Sequence, residues 1–299
     1  MSHDHGSEGG SFYVHLIAGA SAGFAEHCGM YPIDTIKTHI QAIRPGLVGV
    51  GGGNAYIGAL QITRDIISKS GFTGLFRGLT AVAAGAAPSH AVHFSIYELL
   101  KHKLIGGDDE GHHPVKVGLA GVIATMSSEA VACPMDVVKQ RLQLQLNNYR
   151  GLFDCTKKIW HKEGLRGFYA GYTTTLVMTV PYNIIYFPAY ESLKKIVLNQ
   201  KKNRDEKSYE LLIHLFAGGG AGMLAAAITN PFDVAKTRLQ TQGDVGKHYK
   251  GMIDALRTIW AEEGSAGYLR GMKPRIVFHS MSSAIVWSVY EYIKFVMGE

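Results

Sequence analysis

Charged residues are scarce in this chain, and cysteine is nearly missing. Asp, Glu, Lys and Arg make up 18% of the 299 residues, against 46% apolar. Mean hydropathy is still only +0.04, low for a protein simply dissolved in lipid, and the combination fits helices with one lipid-facing side and one polar side. The three cysteines, Cys28, Cys133 and Cys155, are odd in number and lack CxxC spacing, which argues against a disulfide framework. The sequence has no glycine-rich nucleotide loop, no Ser-His-Asp arrangement and no HExxH, so it is not expected to be an enzyme or to carry a resident cofactor. The opening MSHDHGSEGG has neither an Arg-rich amphipathic helix nor an apolar core before a cleavage site, so no removable targeting segment is expected. A net charge of +6 raises the question of nucleic acid, but the basic residues are dispersed, and contact with anionic lipid fits better.

What the chain does contain, it contains three times. YPIDTIKTHIQ spans 31–41, CPMDVVKQRLQ spans 133–143 and NPFDVAKTRLQ spans 230–240, each with Pro, Asp two residues on, Lys five on and Gln nine on. Pro32 and Pro134 are 102 residues apart, Pro134 and Pro231 97 apart, so the unit is about a third of the protein. One domain over 1–299 is expected, with repeats at roughly 11–108, 112–203 and 208–299.

Apolar runs near 13–40, 79–103, 115–145, 171–197, 210–240 and 272–296 are each long enough to cross about 30 Å of hydrocarbon, two per repeat. A soluble helical solenoid is the alternative, disfavoured because it would have to bury these runs against water. Shorter amphipathic helices are expected near 57–69, 152–163 and 252–263, lying at the membrane interface. Gly51 to Gly53, Gly106 to Gly111 and Lys201 to Lys207 are expected to be solvated linkers. The even spans close on a second repeated element: Tyr97-Glu98 with Lys101, Tyr190-Glu191 with Lys194, and Tyr290-Glu291 with Lys294. An acid and a Lys three apart can be a local helix pair, but threefold recurrence weakens that explanation.

Proline kinks a helix, and ionisable groups within membrane spans usually face a bundle interior or a wet cavity. Three kinks at matching depth, each followed by Asp and Lys, would gather six charges into a ring. Three pairs could then act as a gate, because desolvation takes back much of the roughly 4 kcal/mol gross attraction of each pair.

The threefold PxDxxK…Q, followed three times by Tyr-Glu-x-x-Lys, resembles the mitochondrial carrier family over nearly the whole chain. The resemblance implies an all-α, multi-pass protein of the mitochondrial inner membrane: six tilted transmembrane helices in threefold pseudosymmetry around a cavity, with short interfacial matrix helices. It implies a matrix-side gate pairing Asp34 with Lys139, Asp136 with Lys236 and Lys37 with Asp233, braced by Gln41, Gln143 and Gln240. It also implies a cytoplasmic-side gate pairing Lys101 with Glu191, Lys194 with Glu291 and Glu98 with Lys294, braced by Tyr97, Tyr190 and Tyr290. Cardiolipin at the aromatic-x-Gly turns, a monomer and no nucleic-acid partner complete the picture. Two departures stand out: His39 replaces the Arg found at 141 and 238, and Met281 replaces the proline found at 88 and 181.

Counting back from the Tyr-Glu pairs brings Gly85 and Ala86, Met178 and Thr179, and Phe278 and His279 to matching depth, the positions that contact substrate in that family. An anionic substrate needs Arg or Lys there, and these six positions offer none; Arg275 is about one turn away. His27 lies two turns before Asp34 on the same face, Glu129 is its counterpart in the second repeat, and His90 corresponds to Asn183. Imidazole, thioether, amide and carboxylate together suit a divalent first-row metal. EHxxMYPxDxxKT at 26–38, PSHAVHFSIYE at 88–98, Met178 to Pro181 and SSAIVWSVYE at 282–291 resemble the iron-carrying branch of the family. That resemblance implies import of Fe²⁺ into the matrix, for iron-sulfur cluster and haem synthesis, with His27, His90 and Met178 as ligand candidates and Asn183, Glu129, Thr179 and His279 beside them. Each has a plainer reading: helical histidines are more often packed than ligating, and methionine often fills core. His93 reads as packing, while His3, His5, His102, His112 and His113 read as solvated. Two other functions fit the residues, a carrier of a small organic metabolite such as S-adenosylmethionine and a non-transporting membrane adaptor. The intact charge pairs argue against the adaptor, which has no gates to open.

Overall fold

A computed structural model describes residues 5–42, 58–105, 114–145, 149–199, 214–246 and 248–297. The three expected linkers lie outside these residues, as do His3, His112 and His113. Every regular element among the described residues is helical: α1 His5–Ala42, α2 Ala59–Ser70, α3 Leu79–Ile105, α4 Pro114–Leu144, α5 Leu152–Phe168, α6 Tyr172–Asn199, α7 Gly219–Ile228, α8 Asn230–Val245, α9 Met252–Tyr268 and α10 Met272–Met297. A 3-10 turn, Phe72–Phe76, follows α2, and a π turn, His214–Gly218, leads into α7.

The expected fifth span is two helices. Pro32 and Pro134 sit inside continuous helices, but at the third motif the chain breaks at Thr229 between α7 and α8. The residue before a proline is biased away from helical backbone. Asn230, standing there, turns its Nδ2 to the carbonyls of Tyr268 and Arg270, at 2.6 and 3.1 Å. Among the described residues, Gly118–Leu144 is the one stretch long and apolar enough to cross a membrane by composition alone. The polar residues inside the other long helices dilute them below that mark.

The short helices repeat in detail. Gly164 and Gly264 break α5 and α9 at φ +63°, and Gly71 ends α2 at φ +70°. That backbone strains any residue with a Cβ, so glycine at this point of every repeat fixes the turn. Val137, Val138, Leu142, Tyr149, Cys155 and Ile159 pack α4 against α5. Their counterparts Val234, Ala235, Leu239, Tyr249, Ala255 and Ile259 pack α8 against α9. Burial within this seam pushes the Cys155 thiol up to about 12.

The chain forms two compact units. One comprises 1–37, 181–229 and 271–299; the other comprises 38–180 and 230–270. The second unit holds α2 to α5, α8, α9 and the last residues of α1. The first holds most of α1, the later part of α6, α7 and α10.

Candidate functional site

In the second unit the motif ends interlock. Arg141 Nε donates to the Gln240 carbonyl at 3.0 Å, and Arg238 Nε donates to the Gln41 carbonyl at 3.1 Å. His39 Nε2 stands 2.8 Å from the Gln143 carbonyl. The seventh residue after each motif proline thus reaches the closing Gln of another repeat, and the three contacts run in a cycle. Thr38 Oγ1 donates to Gln143 Oε1 and Thr237 Oγ1 to Gln41 Oε1, both at 2.9 Å. Gln41 Nε2 in turn donates to Asp233 Oδ2 at 2.8 Å. All three glutamines are fully buried.

Lys236 Nζ lies 3.1 Å from Asp136 Oδ2. Glu129 is half-buried in the same unit. Asp34 and Lys37 are half-buried in the first unit, and Lys139 is half-buried in the second. In the second repeated element, Lys194 Nζ sits 5.9 Å from the Tyr190 ring centre. Glu98, Lys101 and Glu191 are exposed and Tyr97 half-buried, while the side chains of Tyr290, Glu291 and Lys294 lie outside the described residues.

Two buried clamps escaped the sequence reading. Arg141 binds Glu163 through both guanidinium nitrogens, the second at 2.7 Å, with Asp244 3.6 Å from the first. Arg238 meets Glu263 at 2.5 Å, and Glu263 also holds Arg270 at 2.6 Å. Each clamp fastens a motif end to the short helix of its own repeat. The signal was present in the recurring Glu-Gly at 163–164 and 263–264. The first repeat has Ser70-Gly71 at that place, opposite His39 instead of Arg. Ser70 Oγ donates to Gln145 Oε1 at 2.6 Å, and Gln145 Nε2 donates to the Gly74 carbonyl at 3.0 Å. The missing Arg and the missing Glu are therefore one departure, and a neutral network replaces the charged clamp.

Of the ligand candidates, His27, His90 and Asn183 are exposed, and Met178, Thr179, Glu129 and His279 are half-buried. His27, Asn183 and His279 belong to the first unit; His90, Glu129, Met178 and Thr179 belong to the second. In the first unit His279 rests against Gly222 of α7, where an added Cβ would lie 3.4 Å from the His279 Cβ. Its ring centre is 5.8 Å from that of Tyr182. Tyr182, Tyr186 and Tyr190 stack in succession along α6, at 5.9 and 6.1 Å. Arg275 of the first unit, about one turn from His279 on α10, is buried and donates to Thr229 Oγ1 at 3.0 Å. Among the described residues no three His, Cys, Asp or Glu side chains converge as a ready-made metal cage.

The helices, the threefold motif and the interlocked motif ends define a mitochondrial carrier, and the chain belongs to that family: the mitochondrial carrier protein model matches residues 8–108, 110–201 and 207–299. Its long segments α1, α3, α4, α6, α7 with α8, and α10 are the six spans of an all-α inner-membrane protein, with α2, α5 and α9 between them. Within the family the chain is similar to a mitoferrin of Dictyostelium discoideum, 71% identical over 99% of this chain and 98% of that one. It is also similar to mitoferrin-1 of Mus musculus, 38% identical over 96% of this chain and 84% of the relative. A mitochondrial RNA-splicing protein of Saccharomyces cerevisiae is 39% identical over 93% of this chain and 90% of its own length.

Proposed function

We propose that this chain carries ferrous iron across the mitochondrial inner membrane into the matrix by alternating access, as a single carrier body built from its three repeats. The observation that carries the reading is the lining at the three matching depths. Gly85, Ala86, Met178, Thr179, Phe278 and His279 bring thioether, hydroxyl and imidazole but no cation, and the nearby Arg275 is engaged by Thr229. At those six positions an organic anion leaving water would find no charged donor to replace its solvation. The near full-length similarity to proteins named mitoferrin points the same way.

In this reading Fe²⁺ is cargo and not a resident cofactor. It exchanges some of its waters for His27, His90 and Met178, with Glu129, Asn183, Thr179 and His279 as neighbours. Asp34 with Lys139, Asp136 with Lys236 and Lys37 with Asp233 close the matrix side, and Gln41, Gln143 and Gln240 brace them. The Tyr-Glu-x-x-Lys elements close the cytoplasmic side. Cardiolipin is the lipid partner and the working unit is a monomer.

The ligand assignment is tested by replacing His27 and His90 with alanine, singly and together, and measuring Fe²⁺ uptake into proteoliposomes at matched protein content. Each single variant is expected to lose at least about tenfold in uptake, the scale of losing one metal contact, with an unchanged thermal midpoint. Undiminished uptake in the folded double variant removes these two histidines from the site.

A further inference from the structure

Glu26 stands beside His27, five residues before the first motif, and belongs to neither gate nor to the ligand set His27, His90 and Met178. It is half-buried within the first membrane-spanning helix, where an ionised carboxylate is costly unless something offsets its charge. Three other acids have cations to offset them: Lys236 for Asp136, Arg141 for Glu163, Arg238 and Arg270 for Glu263. Glu26 has a different neighbour. Ser282 Oγ of α10 donates to Glu26 Oε1, and among the described residues no Lys or Arg pairs with Glu26.

That hydroxyl bond also says where the charge is held. It ties α1 to α10 within the first unit, and one turn further along α1 an added Cβ on Gly29 would lie 3.5 Å from Ile285 Cδ1. Ser282 is about one helical turn from Phe278 and His279 on α10, and His279 is packed against Tyr182 and Gly222. A carboxylate with no Lys or Arg paired to it among the described residues is thus held about one helical turn from Phe278 and His279, next in sequence to an exposed imidazole. The three direct ligand candidates His27, His90 and Met178 are neutral when they coordinate, and of their proposed neighbours Glu129 alone carries a carboxylate, so a dication held by those three would trade water for donors without charge.

We propose that Glu26 is the anionic, specificity-determining ligand of the cargo: its carboxylate, oriented by Ser282, supplies the negative charge that draws a divalent cation to this site. This inference rests on the reading of the chain as a carrier of ferrous iron. A carboxylate oxygen beside imidazole favours Fe²⁺ and Mn²⁺ over Cu⁺, which thioether and thiolate favour.

Glu26→Gln keeps the shape and can still accept the Ser282 bond, whereas Glu26→Ala loses both bond and charge. In proteoliposomes E26Q is expected to raise the half-saturating Fe²⁺ concentration about tenfold or more, to change the maximal rate less, and to move the preference between Mn²⁺ and Cu⁺ toward Cu⁺. Ser282→Ala retains the charge and is expected to cost no more than a few-fold. Binding is read separately on the full chain in detergent: Mn²⁺ raises the thermal midpoint of the wild-type protein, and E26Q loses that rise. Wild-type half-saturation and a wild-type Mn²⁺ response in E26Q, with only E26A impaired, would overturn the inference, leave Glu26 as a helix-to-helix tie and leave the iron reading standing. A wild-type protein that moves and binds no divalent metal would overturn both.

Discussion

At the seventh position after each motif proline, guanidinium and imidazole differ in reach. Arg141 and Arg238 satisfy a carbonyl of another repeat with Nε and still have terminal nitrogens for a carboxylate of their own repeat. His39 reaches its carbonyl and stops there. Arg141 is almost wholly buried, at 1% exposure, so removing Glu163 strands a charge in a dry place. Glu163→Ala is expected to destabilise the folded protein by about 3 kcal/mol, the low end for breaking a buried pair, because Asp244 remains 3.6 Å away. Ser70→Ala, at the equivalent place, is expected to cost no more than about 1 kcal/mol, the scale of one neutral hydrogen bond. Denaturation of the purified variants in detergent measures both. The repeat itself indicated that the motif charges gather, and the pairing of Asp136 with Lys236 was what the family resemblance implied. The Arg-Glu clamps were not legible, since their partners stand 22 and 25 residues apart on two helices joined by a loop, and no helical periodicity links them.

The three short helices inherit this difference. α5 and α9 are each clamped by a buried ion pair, while α2 is held by Ser70, Gln145 and the Gly74 carbonyl. Amide hydrogens of α2 are therefore expected to exchange faster than those of α5 and α9 in hydrogen-exchange mass spectrometry, and the double substitution H39R with S70E is expected to slow α2 toward the other two. Equal protection of all three in the native protein would mean that the clamp does not set local stability. At this scale the sequence was informative about kind and position: apolar length marked the long helices, and helical spacing of Ile159-Trp160 and Ile259-Trp260 marked the short ones. Two features were hidden. The break at Thr229 depends on Asn230 finding carbonyls on a distant turn. The other is the short helical stretch that follows each glycine turn: the expected ends near 163 and 263 fall at the turns themselves, at Gly164 and Gly264, and a second stretch continues to Phe168 and Tyr268.

For the whole molecule, threefold repetition made the architecture readable and left the cargo to the places where the repeats differ. His27, Glu129 and Ala226 occupy one position of the three motifs, and His90, Asn183 and Ser283 occupy another. A polar set this uneven does not serve the scaffold, which needs the same residue three times, as with the motif proline, Asp, Lys and Gln. Sequence alone could not show that Arg275 donates to Thr229, nor that Glu26 meets the Ser282 hydroxyl and, among the described residues, no cation. Both facts bear on which charge the site accepts. The account turns on that charge, and uptake by the unmodified protein measures it most directly. Proteoliposomes loaded with an iron-sensitive dye are offered Fe²⁺, with parallel vesicles offered labelled S-adenosylmethionine and labelled ADP. The account predicts saturable Fe²⁺ entry that depends on the protein, with neither organic compound accumulating; entry of either organic compound with Fe²⁺ left outside would contradict it.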